Sequence, residues 1–206
     1  MRKAGARAAS PLSPRAILLV TLAVLVFASP AVAASLEERM TVCLACHGAG
    51  GLSRTPETPS LAGQPQFFTV AQLFLFRDGR RSSAAMTAAA KDLTNDDLRA
   101  ISDYLAKLPP PEPPPEPADP VRSARGRALA TQNHCTVCHN PDFSGREQMP
   151  RLANQREDYL LKAMREYKTG ARIGYAGAMA VELRDLTEGD LEDLAYFLAR
   201  LPRAAP

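Results

Sequence analysis

The 206 residues suffice for one or two domains, and the composition is ordinary for a globular protein apart from 18 prolines and no tryptophan. The formal charge of +3 comes from the N-terminal segment, where Arg2, Lys3, Arg7 and Arg15 are four of the 25 basic residues and none of the 22 acidic ones occurs. From residue 34 onward 21 bases face 22 acids, a balance of −1, and no basic patch remains that would suggest nucleic acid.

Residues 1–33 have the three parts of a secretory signal peptide: the four basic residues, an apolar run from Ala16 to Phe27, and Ala31-Val32-Ala33 as an A-x-A cleavage site. The run is too short for an ordinary transmembrane helix, which needs ~20 residues. An uncleaved anchor is the alternative. Export places the remaining chain in the periplasm.

Ser35 with Glu38 forms a capping box that opens a helix running into Cys43-Leu44-Ala45-Cys46-His47. Gly48 to Pro65 is rich in Gly, Ser, Thr and Pro and predicts a loop. An aromatic-rich helix follows over roughly Gln66 to Arg77, then a loop with Met86. Thr94 and Asp97 cap a last helix whose Leu98, Ile101, Leu105 and Leu108 recur at helical spacing.

Residues 109–120 read PPPEPPPEPADP. This density of proline permits neither a helix nor a central strand and predicts an extended, semi-rigid spacer of up to ~37 Å at ~3.1 Å per residue. A ligand for a proline-binding module is the weaker reading in an exported chain.

After the spacer the pattern repeats. Asp119 and Pro120 supply an N-cap and a first-turn proline for a helix through Gly126 and Ala130 into Cys135-Thr136-Val137-Cys138-His139. Pro59-Ser-Leu-Ala-Gly-Gln64 returns as Pro150-Arg-Leu-Ala-Asn-Gln155. Phe68, Phe76 and Gly79 return as Tyr159, Tyr167 and Gly170, all 91 positions on. After two extra residues, Met86, Thr94 and the Leu98 helix return as Met179, Thr187 and the Leu191 helix. The expected organisation is a signal peptide at 1–33, a first domain at 34–108, a linker at 109–120 and a second domain at 121–206. Each domain is small for an apolar core alone, and a buried prosthetic group would add the missing surface.

C-x-x-C-H is the attachment site of a c-type haem, where two thiols form thioethers and the adjacent imidazole ligates iron. The two copies use all four cysteines and two of the three histidines. Disulfides or zinc are the competing readings, but structural zinc usually places its second pair ~15–20 residues on, and here the pairs start 92 residues apart. The expectation is therefore two covalently bound c-type haems on Cys43, Cys46, Cys135 and Cys138, with His47 and His139 as proximal ligands.

Met86, 39 residues past His47, is the methionine downstream of the first motif; Met179, 40 past His139, matches it. Both are the expected distal ligands, with Met149 and Met164 as packing residues. Histidine with methionine saturates the iron and raises its potential, leaving outer-sphere electron transfer as the chemistry. Pro59 and Pro150 are suited to hold the second ring N–H of the histidines by their carbonyls. His134 reads as exposed or in contact with a haem propionate. Arg80, Arg81 and Arg172 could pair with propionates or be solvated charges.

Taken together, the two motifs, the P-x-L-A-[GN]-Q loops, the aromatic helices ending in Gly79 and Gly170 and the capped terminal helices resemble the dihaem cytochrome c4 family of class I cytochromes c. The resemblance covers nearly all the chain after residue 33. It implies an all-α fold of two tandem class I cytochrome c domains about a pseudo-twofold axis. It also implies a periplasmic electron carrier, not an enzyme, that passes electrons from a quinol–cytochrome c oxidoreductase or a dehydrogenase to a terminal haem-copper oxidase. Peripheral membrane association stays open. The long proline linker departs from the compact family pattern. A cytochrome subunit of a flavocytochrome sulfide dehydrogenase is the alternative, and a dihaem peroxidase a third reading that lacks the open iron position it needs.

Overall fold

The chain folds as two successive sets of helices, described by a computed structural model at residues 34–172 and 177–202. The candidate signal peptide lies outside the described residues. Helix α1, Leu36–His47, starts where Ser35 Oγ accepts from Glu38 N at 3.2 Å and Glu38 Oε2 accepts from Ser35 N at 2.7 Å. This reciprocal cap satisfies two otherwise orphaned donors. The first C-x-x-C-H is the last turn of this helix. After a 3-10 turn at Ala49–Gly51 come α2, Gln66–Arg77; α3, Ala84–Ala90; and α4, Asn95–Lys107, opened by the Thr94 and Asp97 capping box.

The second set begins with α5, Pro120–Gln132, where Asp119 Oδ1 accepts from Val121 N and Arg122 N at 2.8 and 3.1 Å. Then come α6, Cys135–His139; α7, Glu157–Lys168; α8, Gly177–Glu182; and α9, Glu188–Leu198, capped by Thr187 and Asp190. Among the described residues there is no strand, only an isolated bridge between Arg146 and Met149. No helix among them is long and apolar enough to cross a membrane.

Three local expectations are corrected. Met86 and Met179 sit on short helices, α3 and α8, rather than in loops; Ser83 Oγ caps the first by accepting from Met86 N at 3.4 Å. The loop at 48–65 contains the 3-10 turn. The helix entering the second motif is broken: Asn133 turns its Nδ2 back onto Leu129 O at 2.8 Å and His134 takes a left-handed φ of 51°. Thr41, the equivalent of Asn133 in α1, donates to Glu37 O at 3.0 Å without any break, so the left-handed turn at His134 and not the side-chain bond is what separates the two helices.

In the first set Met40, Leu73, Leu98, Ile101 and Leu105 form the buried core between α1, α2 and α4. In the second, α5 crosses α9 at Gly126. A Cβ there would lie 2.3 Å from Asp193 O and 2.5 Å from Phe197 Cβ, so only glycine permits this approach. Arg122 and Arg125 flank the crossing and each reaches the buried Asp193 carboxylate at 3.1 Å. Met164 packs into this second core, 7% exposed.

The proline stretch is non-helical as expected and runs against both sets. A Cβ on Gly63, where φ is +67°, would meet Pro110 Cβ at 2.8 Å, and Asn154 Nδ2 donates to Pro111 O at 3.4 Å. Gly63 and Asn154 are equivalent in the repeat. Their amides donate to Leu105 O and Leu198 O at 3.0 and 2.8 Å, tying each loop to the end of its last helix.

Candidate functional site

The two histidines are built alike. His47 closes α1 and His139 closes α6, and both are buried, 6% and 4% exposed. Nδ1 of His47 lies 2.8 Å from Pro59 O and Nδ1 of His139 lies 2.9 Å from Pro150 O. A carbonyl oxygen can only accept, so Nδ1 carries the proton and Nε2 presents a lone pair. Burial pushes both imidazoles below the usual histidine range, against the opposing pull of the proline carbonyls, and favours the neutral, ligating form. Nε2 of His139 is buried with no hydrogen-bond partner in the protein. A buried acceptor is rarely left orphaned, and an iron at that nitrogen is what the arrangement fits.

The thiols fit the same reading. All four are free; Cys43 and Cys135 are half-buried, Cys46 and Cys138 exposed. Burial pushes the Cys43 and Cys135 thiols up. Among the described residues no group of three or more His, Cys, Asp or Glu gathers as a purely protein metal site would require. Cys43 and Met86 pack against one apolar core, and Cys135 and Met179 against the other. Each core thus brings a motif cysteine and the matching methionine to its edge, while Met149 stays in the loop before Pro150, its N–H bonded to Arg146 O at 2.7 Å. His134 is exposed.

The loops that hold the histidines also join the two halves. Gln155 Oε1 accepts from Ser60 N and Gln155 Nε2 donates to Ser60 O, each at 2.8 Å. Gln64 Oε1 accepts from Arg151 N at 3.1 Å and Gln64 Nε2 donates to Arg151 O at 3.0 Å. Ser60 and Arg151 are equivalent positions, as are Gln64 and Gln155, so the exchange is reciprocal. Around it Phe68 N donates to Glu147 O at 2.9 Å, Glu57 N to Asp158 Oδ2 at 3.0 Å, and Lys162 Nζ pairs with Glu57 at 2.9 Å. The sequence places both glutamines at the end of the repeated P-x-L-A-[GN]-Q loop but assigns them no role; their signal is that both stay glutamine while the residues before them change from Gly63 to Asn154. Tyr159 was likewise visible only as a repeat position. Its hydroxyl accepts from Arg81 Nη2 across the junction at 3.3 Å. Arg172 is buried rather than solvated, 6% exposed, whereas Arg80 is exposed.

Residues 123–202 match the family model described as Cytochrome c, and residues 32–105 that described as Cytochrome C oxidase, cbb3-type, subunit III. A thiosulfate dehydrogenase electron acceptor of Thiomonas intermedia is 32% identical over 198 residues, 91% of each chain. Cytochrome c4 of Pseudomonas aeruginosa is 33% identical over 68% of this chain and 73% of its own. Among solved structures, reduced recombinant cytochrome c4 from Pseudomonas stutzeri superposes with a TM-score of 0.72 at 27% identity, over 82% of this chain and all of that one. Two consecutive cytochrome c matches, two histidine sites of one geometry and c4 relatives over most of the length lead to one conclusion: the chain belongs to the cytochrome c4 family of dihaem class I cytochromes c.

Proposed function

We propose that this electron-transfer cytochrome is a periplasmic dihaem carrier that takes single electrons from a dehydrogenase, thiosulfate-oxidising in the first instance, and passes them to a terminal oxidase. The donor is suggested by the Thiomonas relative, matched over 91% of both chains. That match favours thiosulfate over the flavocytochrome sulfide dehydrogenase alternative. The export signal at 1–33, domains at 34–108 and 121–206 and the linker between them belong to the same reading.

The observation that carries it is the duplicated histidine geometry, with Nδ1 of each buried ring bound to a proline carbonyl at 2.8 and 2.9 Å, and Nε2 of His139 buried without a protein partner. Haem, when bound, supplies a one-electron couple. Cys43, Cys46, Cys135 and Cys138 would hold it covalently; His47 and Met86 would ligate one iron, and His139 and Met179 the other. The proline carbonyls fix the imidazole planes and raise the basicity of the ligating nitrogens. With the Met86 and Met179 thioethers as ligands, neither iron would keep a position open for a substrate, and the chemistry would be electron transfer alone.

Intact mass and a pyridine haemochrome assay on the mature protein test the reading. Two haems that survive denaturation are expected; one or none overturns it. Met86→Ala and Met179→Ala should each remove about half of the weak sulfur-to-ferric-iron absorption, and survival of the whole band in both variants would place the ligands elsewhere. Rapid reduction on mixing with a thiosulfate dehydrogenase and thiosulfate is the expected sign of the donor, and an unchanged ferric spectrum would exclude it.

A further inference from the structure

In each half, the helix that precedes the methionine segment ends in a cation that reaches over to that segment. Arg77 and Lys168 lie in the last turns of α2 and α7 and are equivalent, 91 positions apart. Arg77 Nη1 donates to Leu93 O at 3.1 Å and to Asn95 Oδ1 at 2.9 Å. Lys168 Nζ donates to Leu183 O at 3.3 Å, to Arg184 O at 2.7 Å and to Leu186 O. Leu93 and Leu186 each stand seven residues past their methionine, Met86 and Met179. The same carbonyl is thus held in both halves, by a guanidinium in one and an ammonium in the other.

These bonds close on helices too short to hold themselves. α3 has seven residues and α8 six, and an isolated helix shorter than ~12–15 residues is marginal in water. The last carbonyls of a helix have no partner within it; a cation beside them both donates to them and opposes the helix dipole. An ammonium has three donors, and three carbonyls accept from Lys168. In α8 the connection to the methionine is direct: Met179 O accepts from Leu183 N at 3.1 Å, and Leu183 O accepts from Lys168. Leu183 and Leu186 are buried in the core that Met179 packs against, and Leu93 packs beside Met86 on the other. Leucines therefore fix each segment from inside and the cation fixes it from outside.

We propose that Arg77 and Lys168 are positioning residues for the two methionines, clamping each segment so that its sulfur stays on the iron. The proposal rests on the methionine ligation in the reading above. A foreign ligand takes the iron only in the fraction of molecules whose sulfur has left, so its apparent affinity measures how firmly the segment is held. The clamp keeps that fraction small and reserves the iron for electron transfer.

The test is a spectral titration of the haem-loaded ferric protein with imidazole, following loss of the sulfur-to-iron absorption. The variants are Arg77→Leu and Lys168→Leu, with Arg77→Lys and Lys168→Arg as their charge-keeping counterparts. Each leucine variant should show a phase of half the total amplitude that binds imidazole about tenfold more tightly, the order expected for losing a hydrogen bond to a charged group. The charge-keeping variants should recover most of the wild-type affinity. Asp119→Ala, which removes the cap of α5, controls for a general loss of stability: it should melt earlier and bind imidazole as the wild type does. Leucine variants that bind imidazole no more tightly than the wild type or Asp119→Ala overturn the proposal alone; a wild-type protein without the sulfur band overturns the reading beneath it. If a leucine variant does not load haem, Arg77→Gln or Lys168→Gln decides, and wild-type affinity there overturns the proposal.

Discussion

Phe143 shows two residue-scale effects in opposition. It occupies a left-handed φ of 56° where the first repeat uses Gly51 at 74°, and in both places the carbonyl accepts from the amides of the third and fourth residues of the P-x-L-A loop: Leu61 and Ala62, or Leu152 and Ala153. A left-handed non-glycine residue costs about 1–2 kcal/mol. Against this, Phe143 is 4% exposed and stands edge-on to Phe197 with centroids 6.0 Å apart. Losing a buried phenylalanine costs about 3–5 kcal/mol, so burial wins. Phe143→Gly is expected to destabilise the protein by about 2 kcal/mol in guanidinium unfolding, despite relieving the strain. What was legible at this scale is the pairing of the His47 and His139 rings with the Pro59 and Pro150 carbonyls, which the motif spacing predicts. Phe143 was not legible, because no periodicity marks a residue whose backbone is set by a hydrogen bond from ten positions downstream.

At the scale of elements, helix starts were legible and one helix course was not. Ser35, Thr94, Asp119 and Thr187 all accept the bonds that their side chains predict, since capping is a local matter of a few atoms. The break before α6 comes where His134 turns left-handed, a backbone choice that no residue pattern before Cys135 marks. The caps carry a pH dependence. The Thr187 hydroxyl and N–H hold the Asp190 carboxyl below the usual aspartate range, against a weaker opposing effect of burial. A depressed carboxyl adds stability that is complete well above the unfolded value of about 3.9 and declines as pH falls through that value toward the folded one. Asp190→Asn should flatten this acid limb in thermal melts. Thr187→Ala should cost about 1 kcal/mol at neutral pH, as loss of an N-cap does; an unchanged melt would show that α9 is held by packing alone.

At the scale of the molecule, the loops that fix the histidines are those that exchange bonds between the halves, so the junction and the two buried imidazole rings are mechanically one unit. Gln155 is 3% exposed and supplies both partners of the Ser60 peptide. Gln155→Ala leaves a buried N–H and a buried C=O unpaired, at about 1–3 kcal/mol each. A loss of about 3 kcal/mol is expected, together with a small-angle scattering profile that shifts from compact toward two-lobed. The repeat was legible in the sequence, whereas the junction was not: side-chain amides bonding to distant backbone leave no pattern along the chain. The reciprocity of that junction has a further consequence. Each half offers the other the same patch, Gln64 and Ser60 against Arg151 and Gln155, which is the geometry of an isologous homodimer closed upon itself by a tether. Nothing in such a contact distinguishes a partner half in the same chain from one in a neighbouring chain; the tether alone makes the choice. Deleting residues 113–116 would shorten its reach by about 12 Å at ~3.1 Å per residue, and the expected product is a domain-swapped dimer, seen in gel filtration as a concentration-dependent species of twice the mass.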